Sequence, residues 1–287
     1  MKRTQWTALF CTLVPFLFFA MPVGAFEIGA RAYYWFPTFK TDLKSDGAGR
    51  PGTDLNLKDN LGVGTQSFPS IEAFGAWGDH HLSLTYTPVN YSGSTTLVTP
   101  ITFNGQIFPA GGLNTDLKLR MLDLEYRYTF LDVENILAGL SLDAIGQIKY
   151  IDGEAKIAAP ALGMEAKQSI QLPSPMVGVG VHIGLLADIL EARAKVTGVA
   201  YSNNYLYEAL ADISWTPFPF LDIHAGYKII QLRVDSKDIF LNSQFTGPYV
   251  GLTVSYWNGG GGKICRTKAQ GRDHHGRPLL RKRGLPG

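Results

Sequence analysis

Apolar and polar positions alternate with a period of two through most of the chain, and no helical period of useful length competes with it. In EIGARAYYWF, the residues Ile28, Ala30, Ala32, Tyr34 and Phe36 fall on one face, with Glu27, Arg31, Tyr33 and Trp35 on the other. The same alternation marks SIEAFGAWGDHHLSLTYTPV as two strands about a tight turn at Gly78 to His80. It returns in LKLRMLDLEYRYTF, LAGLSLDAIGQIKYI, PMVGVGVHIGLL, ILEARAKVTGVAY, YEALADISW, LDIHAGYKIIQLRV and GPYVGLTVSYW. Met121 and Leu122, and later Ile229 and Ile230, are adjacent apolar pairs at which the parity slips, so the pattern predicts a bulge at Met121/Leu122 and a second slip at Ile229/Ile230.

Read this way the chain has about ten strands, within a range of eight to twelve. The connections alternate too: 38–68, 90–114, 154–172, 202–204 and 236–243 are mostly long or polar, and those between them are tight. An even strand number with one long-looped end is the pattern of single-chain membrane barrels. The fold class expected is therefore all-β, a closed antiparallel transmembrane β-barrel.

A soluble sandwich with the same alternation would bury its apolar face, whereas a membrane barrel turns that face to lipid. The start of the chain bears on the choice. MKRTQWTALFCTLVPFLFFAMPVGAF has basic Lys2 and Arg3, an apolar run and small residues up to Ala25, the layout of an export signal over 1–25. Tyrosines and tryptophans near strand ends, among them Tyr34, Trp77, Tyr86, Tyr128, Tyr150, Trp215 and Tyr256, suit the two membrane interfaces. The expected body is 26–257, embedded as a monomer in outer-membrane lipid and lipopolysaccharide.

Charge and cysteine usage change little of this picture. The formal net charge is +2, but from 263 onward eight basic residues face only Asp273, and the body carries 16 basic against 23 acidic residues. An acidic body gives no support to a nucleic-acid role. Residues 258–287 read as a basic, disordered tail. Cys11 lies in the export segment and Cys265 in the tail, so the body has no thiol chemistry.

The closing stretch carries a resemblance. The body looks like a small bacterial outer-membrane β-barrel of the broad OmpA/OmpW/porin-like type, whose last strand commonly has Gly, a hydrophobic residue three later and an aromatic two beyond. Gly251, Val254 and Tyr256 match that pattern. The resemblance implies recognition of these residues by the barrel assembly machinery, although about thirty residues follow here where such chains usually end.

Candidate chemistry lies on the polar face. Arg31, Arg120, Arg127, Arg193, Lys195, Asp212, Lys228 and Arg233 are the expected lumen-lining residues. Two readings stay open: a narrow porin or small-solute passage, with Arg120 beside Arg127 and Arg193 beside Lys195 attracting anions, or a paired polar plug in a non-conducting structural or surface protein. The stretch STTLVTPITFNGQIFPAGG keeps enough apolar residues either to extend the sheet above the membrane or to form a mouth for an apolar solute. A hydrolase is the less favoured class, because His80, His81, His182 and His224 all fall toward the periplasmic end. His274 and His275 lack the partners of a metal site, and no cofactor fingerprint occurs. The expectation is no enzyme, no metal and no cofactor.

Overall fold

The computed structural model describes residues 26–133, 139–186 and 189–258. The export segment, the basic tail with Cys265, His274 and His275, and the turns at 134–138 and 187–188 lie outside the described residues. Among the described residues there are fourteen strands. They are β1 (Phe26–Trp35), β2 (Thr38–Ser45), β3 (Leu55–Asn56), β4 (Phe68–Trp77), β5 (His80–Leu97), β6 (Ile101–Phe103), β7 (Gln106–Phe108), β8 (Gly111–Val133), β9 (Leu140–Ala159), β10 (Met164–Leu186), β11 (Leu190–Tyr201), β12 (Asn204–Phe218), β13 (Leu221–Asp235) and β14 (Ile239–Trp257). Twelve form one antiparallel sheet in the order β1-β4-β5-β8-β9-β10-β11-β12-β13-β14-β2-β3, with β1 also paired to β14; β6 and β7 make a separate ribbon.

The expectation of a closed barrel of about ten strands is corrected here. Fourteen strands stand among the described residues, and the ring traced by the twelve of the main sheet is too uneven to be a true closed barrel. β14 carries two neighbours on one edge: β1 opposite Tyr249–Trp257, and β2 opposite Ile239–Thr246. Both ladders keep one register, so β2 prolongs β1 past an interruption at Phe36 and Pro37, where proline has no N–H to give. β4 begins only at Phe68, and the two-residue β3 with the turn after it stands in its place above. An isolated bridge from Val63 to Gly93 completes that side. β10 rises thirteen residues beyond its last partner on β11.

The interruption demands a glycine opposite it. A Cβ at Gly247 would lie 2.1 Å from the Phe36 carbonyl oxygen, a distance no side chain tolerates without moving backbone. Gly247→Ala is therefore expected to cost about 1–3 kcal/mol, read as a lower urea midpoint, by forcing β14 away from the β1–β2 joint.

The long loops expected at 90–114 and 154–172 are largely strand. β5 and β8 pair up to Leu97↔Gly111, and β9 and β10 up to Ala159↔Met164. Of the apolar residues in the first, Leu97, Ile101, Phe103 and Phe108 are buried, while Val98 and Ile107 are exposed. The sheet thus extends above the membrane.

Neither expected slip is a bulge. The ladders of β8 with β5 and β9 run through Met121 and Leu122 without a shift, as those of β13 do through Ile229 and Ile230. What changes is the chemistry of each face. On β8 the inward positions are Leu113, Thr115, Leu117, Leu119 and Met121, then Asp123, Glu125 and Arg127. The outward ones run from Asp116, Lys118 and Arg120 to Leu122, Leu124, Tyr126 and Tyr128. The outer solvent changes from water to lipid at that level, so the side that buries apolar groups changes with it.

Two layers result. Below the change, Ile28, Ile71, Leu84, Leu124, Ile148, Val177, Ile213 and Val254 form an outward apolar belt. Above it the inside is a packed apolar core, with Phe39 and Tyr91 each stacked with Phe245 and Leu57, Leu61 and Val63 turned in from the segment after β3. Burial pushes the Tyr91 phenol pKa up, since its hydroxyl lies in this core. True register shifts occur at Thr129/Leu131, Gly184/Leu186 and Trp215/Phe218, all near the lower rim.

Candidate functional site: the polar interior of the membrane layer

Alternation sends every second side chain of each wall strand inward, and the polar ones must find one another or pay for isolation in a dry interior. Glu208 on β12 is the hub. Lys149 on β9 lies 2.9 Å from it, Lys228 on β13 3.5 Å and Lys195 on β11 4.0 Å. The fully buried Lys149 also binds Asp123, whose other contact is the Gln147 amide at 3.0 Å. Gln147 in turn accepts from Thr197 at 2.7 Å, and Lys195 reaches Glu125 at 2.5 Å.

Two further groups abut the hub. Arg193 grips Asp212 with two nitrogens, at 2.9 and 2.5 Å, and Tyr249 donates to the same carboxylate at 2.6 Å. Arg31 meets Glu72 at 2.8 Å and donates to Thr253 at 2.7 Å, while the Tyr33 hydroxyl donates to Glu72 at 2.9 Å. Near the lower rim, Arg127 stands 3.7 Å from Asp143, which also accepts from Thr129 at 2.7 Å. A cavity of about 40 Å³ remains among Tyr33, Glu72, Glu125, Gln147, Lys195 and Glu208. It has room for about one water, whose share of liquid is about 30 Å³.

Of the eight expected lumen residues, Arg31, Arg127, Arg193, Lys195, Asp212 and Lys228 face this interior. Arg120 and Arg233 are corrected. Both point outward above the lipid belt, Arg120 to Asp152 at 2.5 Å and Arg233 to Asp235 at 3.9 Å. Placing them inside required the bulges that the ladders do not have. An anion-attracting pair of Arg120 with Arg127 is thereby excluded, since the two lie on opposite faces of β8.

The carboxylates that organise these cations fall on the inward parity that the sequence assigns to the lumen, and the residues sequence reasoning missed are the two tyrosines. Glu208, Asp123 and Glu72 share inward parity with their partners, and Tyr33 and Tyr249 sit on the polar parity of their strands; parity was the signal for all five. The histidines are engaged in pairs: His224 with Thr253 at 2.7 Å, His182 with Glu191 at 3.1 Å and His80 with Tyr126 at 2.7 Å. Above the membrane, Lys156 contacts Glu165 at 2.7 Å, and this hydrogen bond holds the Glu165 carboxyl pKa down and the Lys156 ammonium pKa up.

No protein-family model matches the chain. No curated protein matches it either. Among solved structures, the outer membrane protease OmpT from Escherichia coli superposes with a TM-score of 0.50 at 11% identity, covering 80% of this chain and 97% of that one. Ail, the attachment invasion locus protein of Yersinia pestis, gives 0.36 at 10% identity over 80% and 99%. Neisserial surface protein A gives 0.32 at 15% identity over 81% and 99%. The first of these likenesses is one of fold alone. Together with the outward apolar belt and inward charge, it makes this chain a mostly-β protein of the bacterial outer membrane, embedded in its lipid.

Proposed function

We propose that the chain is a non-conducting structural or surface-exposed outer-membrane protein, in which the membrane layer anchors a rigid sheet displayed above the lipid. The observation that carries this reading is the ion-paired interior. Six inward cations each contact a carboxylate, and the cavity beside Lys195, Lys228 and Glu208 is only about 40 Å³. A continuous file of water is what ion passage needs, and the same charges that would select an ion here hold one another. The narrow-porin reading has correspondingly less support, and no catalytic role is assigned.

Planar-bilayer recording of refolded protein tests the proposal. The expected result is no resolvable unitary conductance, with none gained on Arg120→Glu. Stepwise currents whose ion preference shifts on Arg193→Gln would overturn it.

The assembly role of the last strand belongs to the same proposal. Val254 and Tyr256 project outward from β14, 56% and 62% exposed, while Gly251 lies against Tyr33 with no room for a Cβ. An outward hydrophobic and aromatic pair is open to the barrel assembly machinery before β14 meets β1. Tyr256→Ala is expected to slow the appearance of heat-resistant folded protein in cells several-fold, followed by pulse-chase, and leave the stability of the folded form within about 1 kcal/mol.

A further inference from the structure

We propose that the layer above the membrane holds a blind site for one hydrocarbon chain carrying a neutral oxygen, entered sideways through a split in the wall between β10 and β11. The ladder of β10 with β9 is unbroken from Ile183 to Met164. With β11 it stops at Val177↔Gly198. The residues that follow upward are Met176, Pro175, Ser174 and Pro173, and a proline nitrogen has no hydrogen to continue a ladder. β11 goes on to Tyr201 against β12 alone, and that hairpin ends at Tyr201↔Asn204. β12 in turn accompanies β13 up to Tyr205↔Arg233, so what is left without a neighbour on this side, among the described residues, is the edge of β10 above Val177.

A cavity of about 60 Å³ lies behind the split. Ile170 and Leu172 of β10 line it together with Ile230 and Leu232 of β13, and among the described residues none of β11 or β12 lines it. Its floor, at Met121 and Ile151, rests on the ion-paired layer, so it leads nowhere.

The hydroxyls of Thr41, Tyr91 and Thr115 are buried in this layer without a hydrogen-bond partner, and of the three only Thr41 lines the cavity. The Thr41 hydroxyl of β2 lines this apolar cavity, is buried, and has no hydrogen-bond partner. Buried hydroxyls are almost always paired, so a ligand oxygen is the missing partner. The lining contains no lysine or arginine and does contain Glu154, which disfavours a carboxylate and favours an alcohol or an ester. The volume, about that of two waters, admits the oxygen and a few methylenes, with the rest of the chain lying in the split. That split opens at the upper edge of the apolar belt, where Pro173 sits opposite the outward Tyr150. A chain held there reaches lipid directly.

Photo-crosslinking of the full chain in nanodiscs with a diazirine-bearing decanol, mapped by mass spectrometry, tests the site. Saturable labelling is expected on 168–172 and 230–232, competed by 1-decanol at least tenfold better than by decanoate. Thr41→Val should weaken labelling about three- to tenfold at an unchanged unfolding midpoint, and Leu172→Trp should abolish it. If Leu172→Trp does not fold, the Thr41→Val result decides. Labelling spread evenly over the outer belt, labelling indifferent to Thr41→Val, or equal competition by decanoate would overturn the proposal. A second arm finds the source: protein extracted with native lipid that labels only after lipid removal carries a lipid chain in the site, and protein that labels at once takes the free alcohol.

Discussion

Lys149→Met is expected to destabilise the folded protein by about 3–5 kcal/mol, measured by urea unfolding in lipid vesicles followed by tryptophan fluorescence. Lys149 is fully buried and joins Asp123 to Glu208. Without it, two carboxylates face each other inside the wall. Glu208 still has Lys228 at 3.5 Å and Lys195 at 4.0 Å, whereas Asp123 keeps only the Gln147 amide among the contacts described. Methionine fills the stem of the lysine, so the loss reports charge rather than volume. The triple variant Lys149→Met, Asp123→Asn, Glu208→Gln removes both uncompensated carboxylates and should recover most of the stability, because replacing a buried ion group as a set is often close to neutral. A triple variant as unstable as the single one would show that packing, and not pairing, sets the cost.

That test also addresses why the interior is charged at all. A small wall of this kind needs inward side chains that fill it, and hydrocarbon would satisfy packing alone. Oppositely charged partners on β9, β11, β12 and β13 fix which strand lies beside which, because a one-residue slip turns each charge into lipid. The three groups around Glu208, Asp212 and Glu72 draw their members from seven strands, β1, β4, β8, β9, β11, β12 and β13, with Tyr249 adding β14. The network is a register device as much as a plug.

Much of this was legible in the alternation itself. The strands β11, β12 and β13 and the lower parts of β9, β10 and β14 fall where the period of two placed them, and the choice of lipid for the apolar face follows from residues such as Ile148 and Val254 that stand half exposed. What alternation hid was the second layer. TFKTDLKS at 38–45 alternates, with Phe39 and Leu43 inward, but Pro37 before it and its polar outer face made it read as linker. Met121/Leu122 and Ile229/Ile230 were read as slips because one face was assumed to meet one solvent along its whole length. Once the solvent outside is allowed to change, the same residues report the height of the membrane edge on two strands, and Arg120 and Arg233 move outside without any change of register. The split beside β10 was also written in QLPSPMV, where two prolines share one parity, but only the strand order shows which neighbour they leave unpaired.

The change of solvent makes a contrast on a single strand, and it is the sharper test of the two-layer wall. Leu124→Arg puts a cation on the outward face of β8, opposite Ile148 and Leu84 in the apolar belt, and is expected to cost about 2–4 kcal/mol. Seven residues up the same strand, Leu117 is buried on the inward face and Lys118 is outward. There the sense reverses: Leu117→Arg forces a charge into the apolar core beside Leu113 and Ile157 and should be at least as costly, while Lys118→Leu, facing water, should change stability by less than about 0.5 kcal/mol. Unfolding midpoints of the three variants in vesicles give the comparison. A wall with one lipid-facing side throughout would make Lys118→Leu favourable and Leu117→Arg mild, so the ordering of these two variants alone fixes where on β8 the membrane ends.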